Sequence, residues 1–374
     1  MSDKVKIVVA SCHPSSRGGI STWVRLMQRR LEKDQEVDVR YLYPAYAGEK
    51  EINAAQRTEV QRIFCGTKVM LQRLWEFKRL LKNDKPDLLH LTTSGSLSLV
   101  RDLALIRAAQ KKDVYVVYHI RFGRIPELSL RDNWEWKLLQ RAVHSADAVV
   151  VIDEKTEKTL QKYFAPAKIV KIPNPFDLKN RKPALCEEPD HTVIFVGWVI
   201  KTKGIEELLT AWEHVSKAYP DWKLKLVGPL DEQYSRELHD KFSLEKVIFT
   251  GEKSHDDAMA ELNKAAVFIL PSYTEGFPNS VLEAMALHKP VIAAAVGAIP
   301  EMLREQAGIV VPARNASALE AALMKVMGDK KLRDQMAQNA YDRLIREYEL
   351  ETVLEQYKKI WKAPKSIKDI QAET

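Results

Sequence analysis

"AVFILPSYTEGFPNSVLEAMALHKPVIAAA", residues 266–295, decides how the chain is read. It opens on "AVFILPS" (266–272), a continuous apolar run rich in branched and aromatic residues. Such a run without polar alternation suits a strand covered on both faces. "NSVLEAMAL" (279–287) follows, with Leu282, Met285 and Ala286 on one side, as in a helix packed by one face. "PVIAAA" (290–295) is another buried strand. Strand, loop, helix and strand in succession predict a parallel sheet.

The same alternation extends outward in both directions. Before the segment come "HTVIFVG" (191–197), "LKLVG" (224–228) and "KVIFTG" (246–251), separated by helical patterns, and 315–362 reads as helical throughout. The first half repeats the scheme with "VKIVVAS" (5–11), "VDVRYLY" (37–43), "DLLHL" (87–91), "VYVVYHI" (114–120), "DAVVVI" (147–152) and "KIVKIP" (168–173). Between them, Met70, Leu74, Phe77 and Leu81 recur at i, i+4, i+7 and i+11, one apolar stripe along a helix. The segment 172–190 is rich in proline and charge and has neither period, which marks a linker. The expected architecture is α/β: two doubly wound parallel-sheet domains, 1–180 and 181–350, facing a central cleft, then a helix and tail over 351–374 that return toward the first domain. Open sheets of this kind bind ligands beyond the carboxyl ends of their strands.

The loop "YTEGFP" (273–278) therefore lies where a ligand belongs. Gly276 permits an unusual backbone angle, Pro278 stiffens the approach, and Asn279 or Ser280 suits a helix cap. The N–H groups of the first helical turn can hold phosphate oxygens. Glu275 stands outside that anion site and Glu283 one turn inside the helix. Carboxylates accept paired hydrogen bonds from vicinal hydroxyls. The arrangement suits a ligand with hydroxyls on both sides of a pyrophosphate, as in a nucleotide-sugar. Taken singly, Glu283 is also favoured by the helix dipole alone, and Glu275 also reads as an ordinary surface carboxylate.

The stretch 271–301, "PSYTEGFPNSVLEAMALHKPVIAAAVGAIPE", with its E-x7-E pair, resembles the signature segment of the GT-B retaining glycosyltransferases of family GT4. The resemblance covers nearly the whole chain. It implies two Rossmann-like domains, the first binding the acceptor and the second the donor. It implies that Glu283 binds the donor ribose, that Glu275 contacts the transferred sugar, and that amides around Asn279 and Ser280 hold the pyrophosphate beside Gly276. Phe277 and Pro278 would line the sugar pocket. "VGWVIKTKGIEELL" (196–209) matches the family's phosphate loop at Gly197, Lys203 and Gly204, but Trp198 stands where the family has arginine. Lys201 is one candidate to replace that contact, and Trp198 itself could pack in the core. "SSRGGISTWV" (15–24) brings Gly18 and Gly19 to the donor phosphates, with Arg17 as a further anion contact. "VYHIRFGR" (117–124) ends on His119, which the resemblance places against the donor sugar and leaving group. Arg121 and Arg124 would meet phosphate or an anionic acceptor. "IPNPFD" (172–177) is similar to the family's lobe junction, where Asn174 and Asp177 shape the hinge. Catalytic roles are expected of His119, Lys203 and Glu275.

No Asp-x-Asp triplet occurs in the chain, so a metal-independent hold on the diphosphate is expected, with no cofactor. Cys12, Cys65 and Cys186 are scattered and odd in number, which gives no disulfide framework and no metal-ligand spacing. No run of 18 apolar residues appears, and a cytoplasmic location is expected. Residues 1–182 carry 34 Lys and Arg against 21 Asp and Glu, while 183–374 carry 24 against 30. The first half is thus strongly basic, and "TKVMLQRLWEFKRLLK" (67–82) adds Trp75 and Phe77 to that charge. Such a helix either faces the core or rests on the anionic inner face of a membrane.

The expected reaction is transfer of a hexose or N-acetylhexosamine, from a UDP-sugar as first guess, with retention of configuration. The acceptor would be a saccharide or lipid-linked precursor of bacterial cell-surface polysaccharide or lipopolysaccharide, and no nucleic acid is involved. The alternatives are an epimerase or hydrolase on the same architecture and a non-catalytic nucleotide-sugar-binding protein. A dinucleotide oxidoreductase is disfavoured, because the glycine fingerprint is absent.

Overall fold

A computed structural model describes residues 4–16, 18–43, 59–179, 186 and 188–372. The chain divides into two compact units, Met1–Ile172 with Leu354–Thr374, and Pro173–Val353. Each is a six-stranded parallel sheet flanked by helices.

The first unit contains β1 (Val5–Ala10), β2 (Val37–Leu42), β3 (Leu88–Thr93), β4 (Tyr115–Ile120), β5 (Ala148–Val151) and β6 (Ile169–Lys171), in the order β2-β1-β3-β4-β5-β6. β3 and β5 are buried along their whole length, as their lack of polar alternation requires. The stripe of the helix Glu59–Asn83 seats Phe77 and Leu81 in the core with Leu103, Ile106, Leu139 and Val143. Its opposite side leaves Leu71 and Trp75 exposed. Because β1 neighbours both β2 and β3, the crossovers diverge beyond the carboxyl ends of β1 and β3, which opens a crevice there.

C-terminal residues complete this unit. Lys358 Nζ lies 2.8 Å from both Asp34 and Glu36, and the rings of Tyr357 and Trp361 stack 5.5 Å apart.

The second unit contains β7 (Asp190–Val196), β8 (Lys223–Val227), β9 (Val247–Gly251), β10 (Ala265–Leu270), β11 (Val291–Ala294) and β12 (Gly308–Val311), in the order β12-β11-β10-β7-β8-β9. Its switch point lies between β7 and β10. The short strand β12 pairs with β11 at the sheet edge and is not anticipated from the sequence. The C-terminal helical stretch is also not continuous. Helices Ala316–Gly328 and Lys330–Arg343 meet at Asp329, whose side chain caps the second by accepting from Leu332 N. A π-helical turn, Leu344–Tyr348, follows before the last helix, Leu350–Ala372.

Candidate functional site

In the second unit, the loops after β7 and β10 meet at the switch point. After β7 the chain makes a 3-10 turn, Lys201–Lys203, and enters the helix Ile205–Ala218 through Gly204 at φ 69°. A Cβ on Gly204 would lie 2.1 Å from the Pro271 carbonyl oxygen, so only glycine lets the two loops approach this closely. The backbone N–H of Tyr273 then donates to Thr202 O at 2.9 Å. This contact brings Lys203 Nζ to 2.6 Å from Glu275 Oε1, and Ser272 Oγ donates to the same oxygen at 2.7 Å. Both charged groups are only partly covered, so the pair contributes at most about 1 kcal/mol of stability. Its consequence is positional: one cation and one carboxylate are fixed at the head of the β10 loop. Beside them Tyr273 donates to Glu207, and burial together with that bond pushes its phenol up to about 12.

The helix Asn279–Ala286 begins differently from the sequence expectation. Pro278 occupies the N-cap, and no side chain caps the first turn. Neither Asn279 nor Ser280 is the cap, because Pro278, already extended at φ −73° and ψ 117°, turns the chain into the helix one residue earlier. The first-turn N–H groups thus have no capping side chain. Asn279 Oδ1 instead accepts from Asn174 Nδ2 at 3.3 Å, and the same amide donates to Phe277 O at 3.2 Å. Asn174 is buried and so braces the loop from within its own unit. Phe277 packs its ring edge-on to Tyr348.

Gly276, which permits an unusual backbone angle, is not at positive φ; Gly297 is, at φ 52°. A Cβ on Gly297 would stand 2.3 Å from Glu275 O and 2.4 Å from Gly276 O. Ala298 N completes the clamp by donating to Gly276 O at 2.9 Å.

Glu283 receives a partner that the sequence reading missed. His255 Nε2 lies 2.9 Å from Glu283 Oε1. His255 is the first residue of the helix His255–Lys264, which Ser254 caps by accepting from Asp257 N. The Ser-x-x-Asp pattern at 254–257 carried the signal for that helix start. One further expectation is corrected: Trp198 is 53% exposed rather than packed in the core. Lys201 forms an exposed ion pair with Glu237 at 2.7 Å.

At the carboxyl edge of the first sheet, Ser11 and Thr92 share a hydrogen bond of 2.7 Å, and Gly18 caps the helix Gly19–Leu31 at φ 115°. Arg17 lies outside the described residues. His119, at the end of β4, is fully buried among Trp23, His90 and Tyr357. Burial, then the charge of Arg121, holds its imidazole well below the usual histidine range, and pushes His90 down to about 3. Arg121 Nη1 lies 3.3 Å from His119 Nε2, and Nη2 donates to Gly19 O at 3.3 Å. Arg124 is drawn elsewhere, donating to Glu135 at 2.9 Å. Arg73, not singled out in the sequence, is buried here too and donates to Ser11 O at 2.8 Å. Burial pushes its guanidinium down to about 9.

Residues 17–180 match the family model described as Glycosyltransferase Family 4, and residues 177–343 match Glycosyl transferases group 1. An uncharacterised glycosyltransferase of Haemophilus influenzae is 28% identical over 294 residues, 76% of this chain and 79% of its own. The capsular polysaccharide biosynthesis glycosyltransferase CapM of Staphylococcus aureus is 29% identical over half of each chain. Among solved structures, sucrose-phosphate synthase from Thermosynechococcus elongatus superposes with a TM-score of 0.78 at 21% identity, covering 97% of this chain and all of that one. HepE of Anabaena, in complex with UDP-glucose, superposes with a TM-score of 0.71 at 18% identity, covering 96% and 99%. Two matched models that together run from residue 17 to 343, on two parallel sheets of GT-B type, establish that the chain belongs to the GT4-like GT-B glycosyltransferases.

Proposed function

We propose that the protein transfers a hexose or N-acetylhexosamine from a UDP-sugar to an acceptor hydroxyl, with retention and without a metal. The observation that carries the reading is the convergence of Lys203, Glu275 and an uncapped helix start at one switch point. In this reading the first-turn amides at Asn279 and Ser280, together with Lys203, hold the diphosphate. Glu283 grips the ribose hydroxyls and Glu275 the transferred sugar. His119, Arg121, Gly18 and Gly19 would supply further contacts to the donor or to an anionic acceptor. As the anomeric C–O bond breaks, its electron pair passes to the leaving phosphate, where the amides and Lys203 stabilise the growing charge. The acceptor oxygen forms the new bond on the same face, and its proton passes to the leaving phosphate. The chain has no Asp-x-Asp triplet to hold a bridging cation, which favours the metal-free form. The relative CapM favours a cell-surface saccharide or lipid-linked acceptor, and the UDP-glucose of HepE favours a uridine donor. The test is transfer from UDP-sugars with EDTA present, reading the anomeric configuration of the product by NMR. Inversion, or activity only with added divalent cation, would refute this form of the reaction.

A second reading adds a peripheral contact with anionic lipid. Trp75 is 62% exposed, Leu71 lies beside it, and the Arg79 guanidinium sits 5.8 Å over the Trp75 ring. An exposed indole flanked by cations suits a lipid headgroup layer. No described helix is long and apolar enough to cross a membrane. Flotation with anionic vesicles tests it: salt-sensitive binding, lost in Trp75→Ala, is expected, and absence of binding overturns it.

A further inference from the structure

A row of hydrogen-bonding groups crosses the first unit from the last helix to the end of β4. Trp361 Nε1 donates to His90 Nδ1 at 3.1 Å. His90 Nε2 lies 3.1 Å from His119 Nδ1, and His119 Nε2 lies 3.3 Å from Arg121 Nη1. Trp361, His90 and His119 are fully buried. Both imidazoles are kept neutral by burial.

The hydrogens in this row cannot all be accommodated. Indole and guanidinium only donate, and a neutral imidazole has one N–H and one acceptor nitrogen. The row therefore brings four N–H groups to three contacts, so one contact must set two hydrogens face to face. Trp361 has a single N–H on a ring stacked against Tyr357, with His90 Nδ1 as its acceptor. Arg121 has several N–H groups, and it also donates to Gly19 O and lies over the Trp23 ring. Its contact with His119 is also the longest of the three. The surplus hydrogen thus falls between His119 and Arg121.

We propose that Trp361, acting through His90, holds His119 in the tautomer protonated on Nε2, making His119 a hydrogen-bond donor at the carboxyl end of β4. An oxygen seated between His119 Nε2 and Arg121 Nη1 would accept from both and relieve the conflict. A sugar hydroxyl or a leaving-phosphate oxygen has that chemistry. Trp361 and His90 are then positioning residues for transfer. The functional part of this inference rests on the reading of His119 as a donor contact, whereas the tautomer assignment stands without it.

The test uses the full-length protein with 15N-labelled histidine, reading the His119 tautomer from long-range proton–nitrogen correlations near neutral pH. Protonation on Nε2 is expected. Trp361→Phe keeps the stacked ring and removes the donor, so His119 should move its proton to Nδ1 and accept from Arg121. With the donor lost, kcat should fall about tenfold or more while donor KM changes by less than about twofold. His90→Leu breaks the row at its other link and should cost kcat similarly. A wild-type His119 protonated on Nδ1 overturns the proposal, as does a Trp361→Phe variant with unchanged tautomer or unchanged kcat. Glu283→Ala, run alongside, reports on the donor site alone: its loss of donor binding leaves the reading of function standing whatever His119 shows.

Discussion

The ammonium of Lys203 and the carboxylate of Glu275, 72 residues apart in the chain, lie 2.6 Å from each other across the switch point of the second sheet. The contact exists because Gly204 lets its loop reach the carbonyl of Pro271. In the proposed reaction the cation would meet the donor diphosphate and the carboxylate the sugar hydroxyls. Removing the cation should act on the developing charge more than on ground-state binding. Lys203→Ala is expected to lower kcat by about 100-fold with a smaller change in donor KM. Steady-state kinetics with varied donor checks this, and a pure KM effect would assign Lys203 to binding alone.

Gly297 should tolerate no side chain. Its φ of 52° and the two carbonyl oxygens within 2.4 Å of a Cβ mean that alanine forces the 275–276 backbone to move. Gly297→Ala should destabilise by about 1–3 kcal/mol or more and abolish donor binding. Gly251 at φ 69° has nothing within 4 Å of its Cβ site, so Gly251→Ala should cost only about 1 kcal/mol. Thermal denaturation and donor titration of the two variants separate backbone strain from the clash.

Lys358 and Asp34 form a buried ion pair at 2.8 Å in the first unit. Burial alone would raise the Asp34 carboxyl, but Lys358 and the Glu36 amide outweigh it and hold the group below its usual range. For a depressed carboxylate the stabilisation is present above the unfolded pKa and is lost as pH falls through the folded value. Lys358→Met should cost about 1–3 kcal/mol near neutral pH, because Asp34 keeps its two amide donors but only Arg30, 3.7 Å away, as a cationic partner. Part of that loss should disappear below about pH 4, where Asp34 protonates. Urea unfolding across that range provides the check.

His90 and His119 give the first unit a further pH dependence. Both are held neutral when folded, while in the unfolded chain they protonate below about pH 6.5. The unfolded state then binds more protons, so stability rises with pH. It should be complete above about pH 6.5 and decline below it by about 1.4 kcal/mol per pH unit for each histidine. Amide exchange in β3 and β4 between about pH 7.5 and about pH 5 should show this decline. Protection independent of pH would mean that the imidazoles ionise inside the fold.

The legible parts of the fold were those written locally. β10 is an unbroken apolar run, and the loop to the helix at Asn279 carries its glycine, proline and glutamates in one short stretch. β12 was hidden because its four residues, of which only Val311 is buried, show neither a buried run nor alternation. Glu275 and Glu283 could be singled out from spacing, whereas their partners could not. His255 reaches Glu283 only because the helix that begins after β9 starts beside the one that begins after β10. Gly297 clamps residues 275 and 276 only because β11 lies against β10. His90 and Trp361, 271 residues apart, meet through the packing of the last helix, which no local pattern reports. Neither Asn279 nor Ser280 is the helix cap, because Pro278 already has the extended backbone of an N-cap.

Donor titration tests the central claim most directly. A UDP-sugar should bind the wild-type protein by calorimetry with EDTA present, and Glu283→Ala should weaken that binding about tenfold or more through loss of the ribose contact. An unchanged Kd in Glu283→Ala, or wild-type binding that requires a divalent cation, would contradict the account.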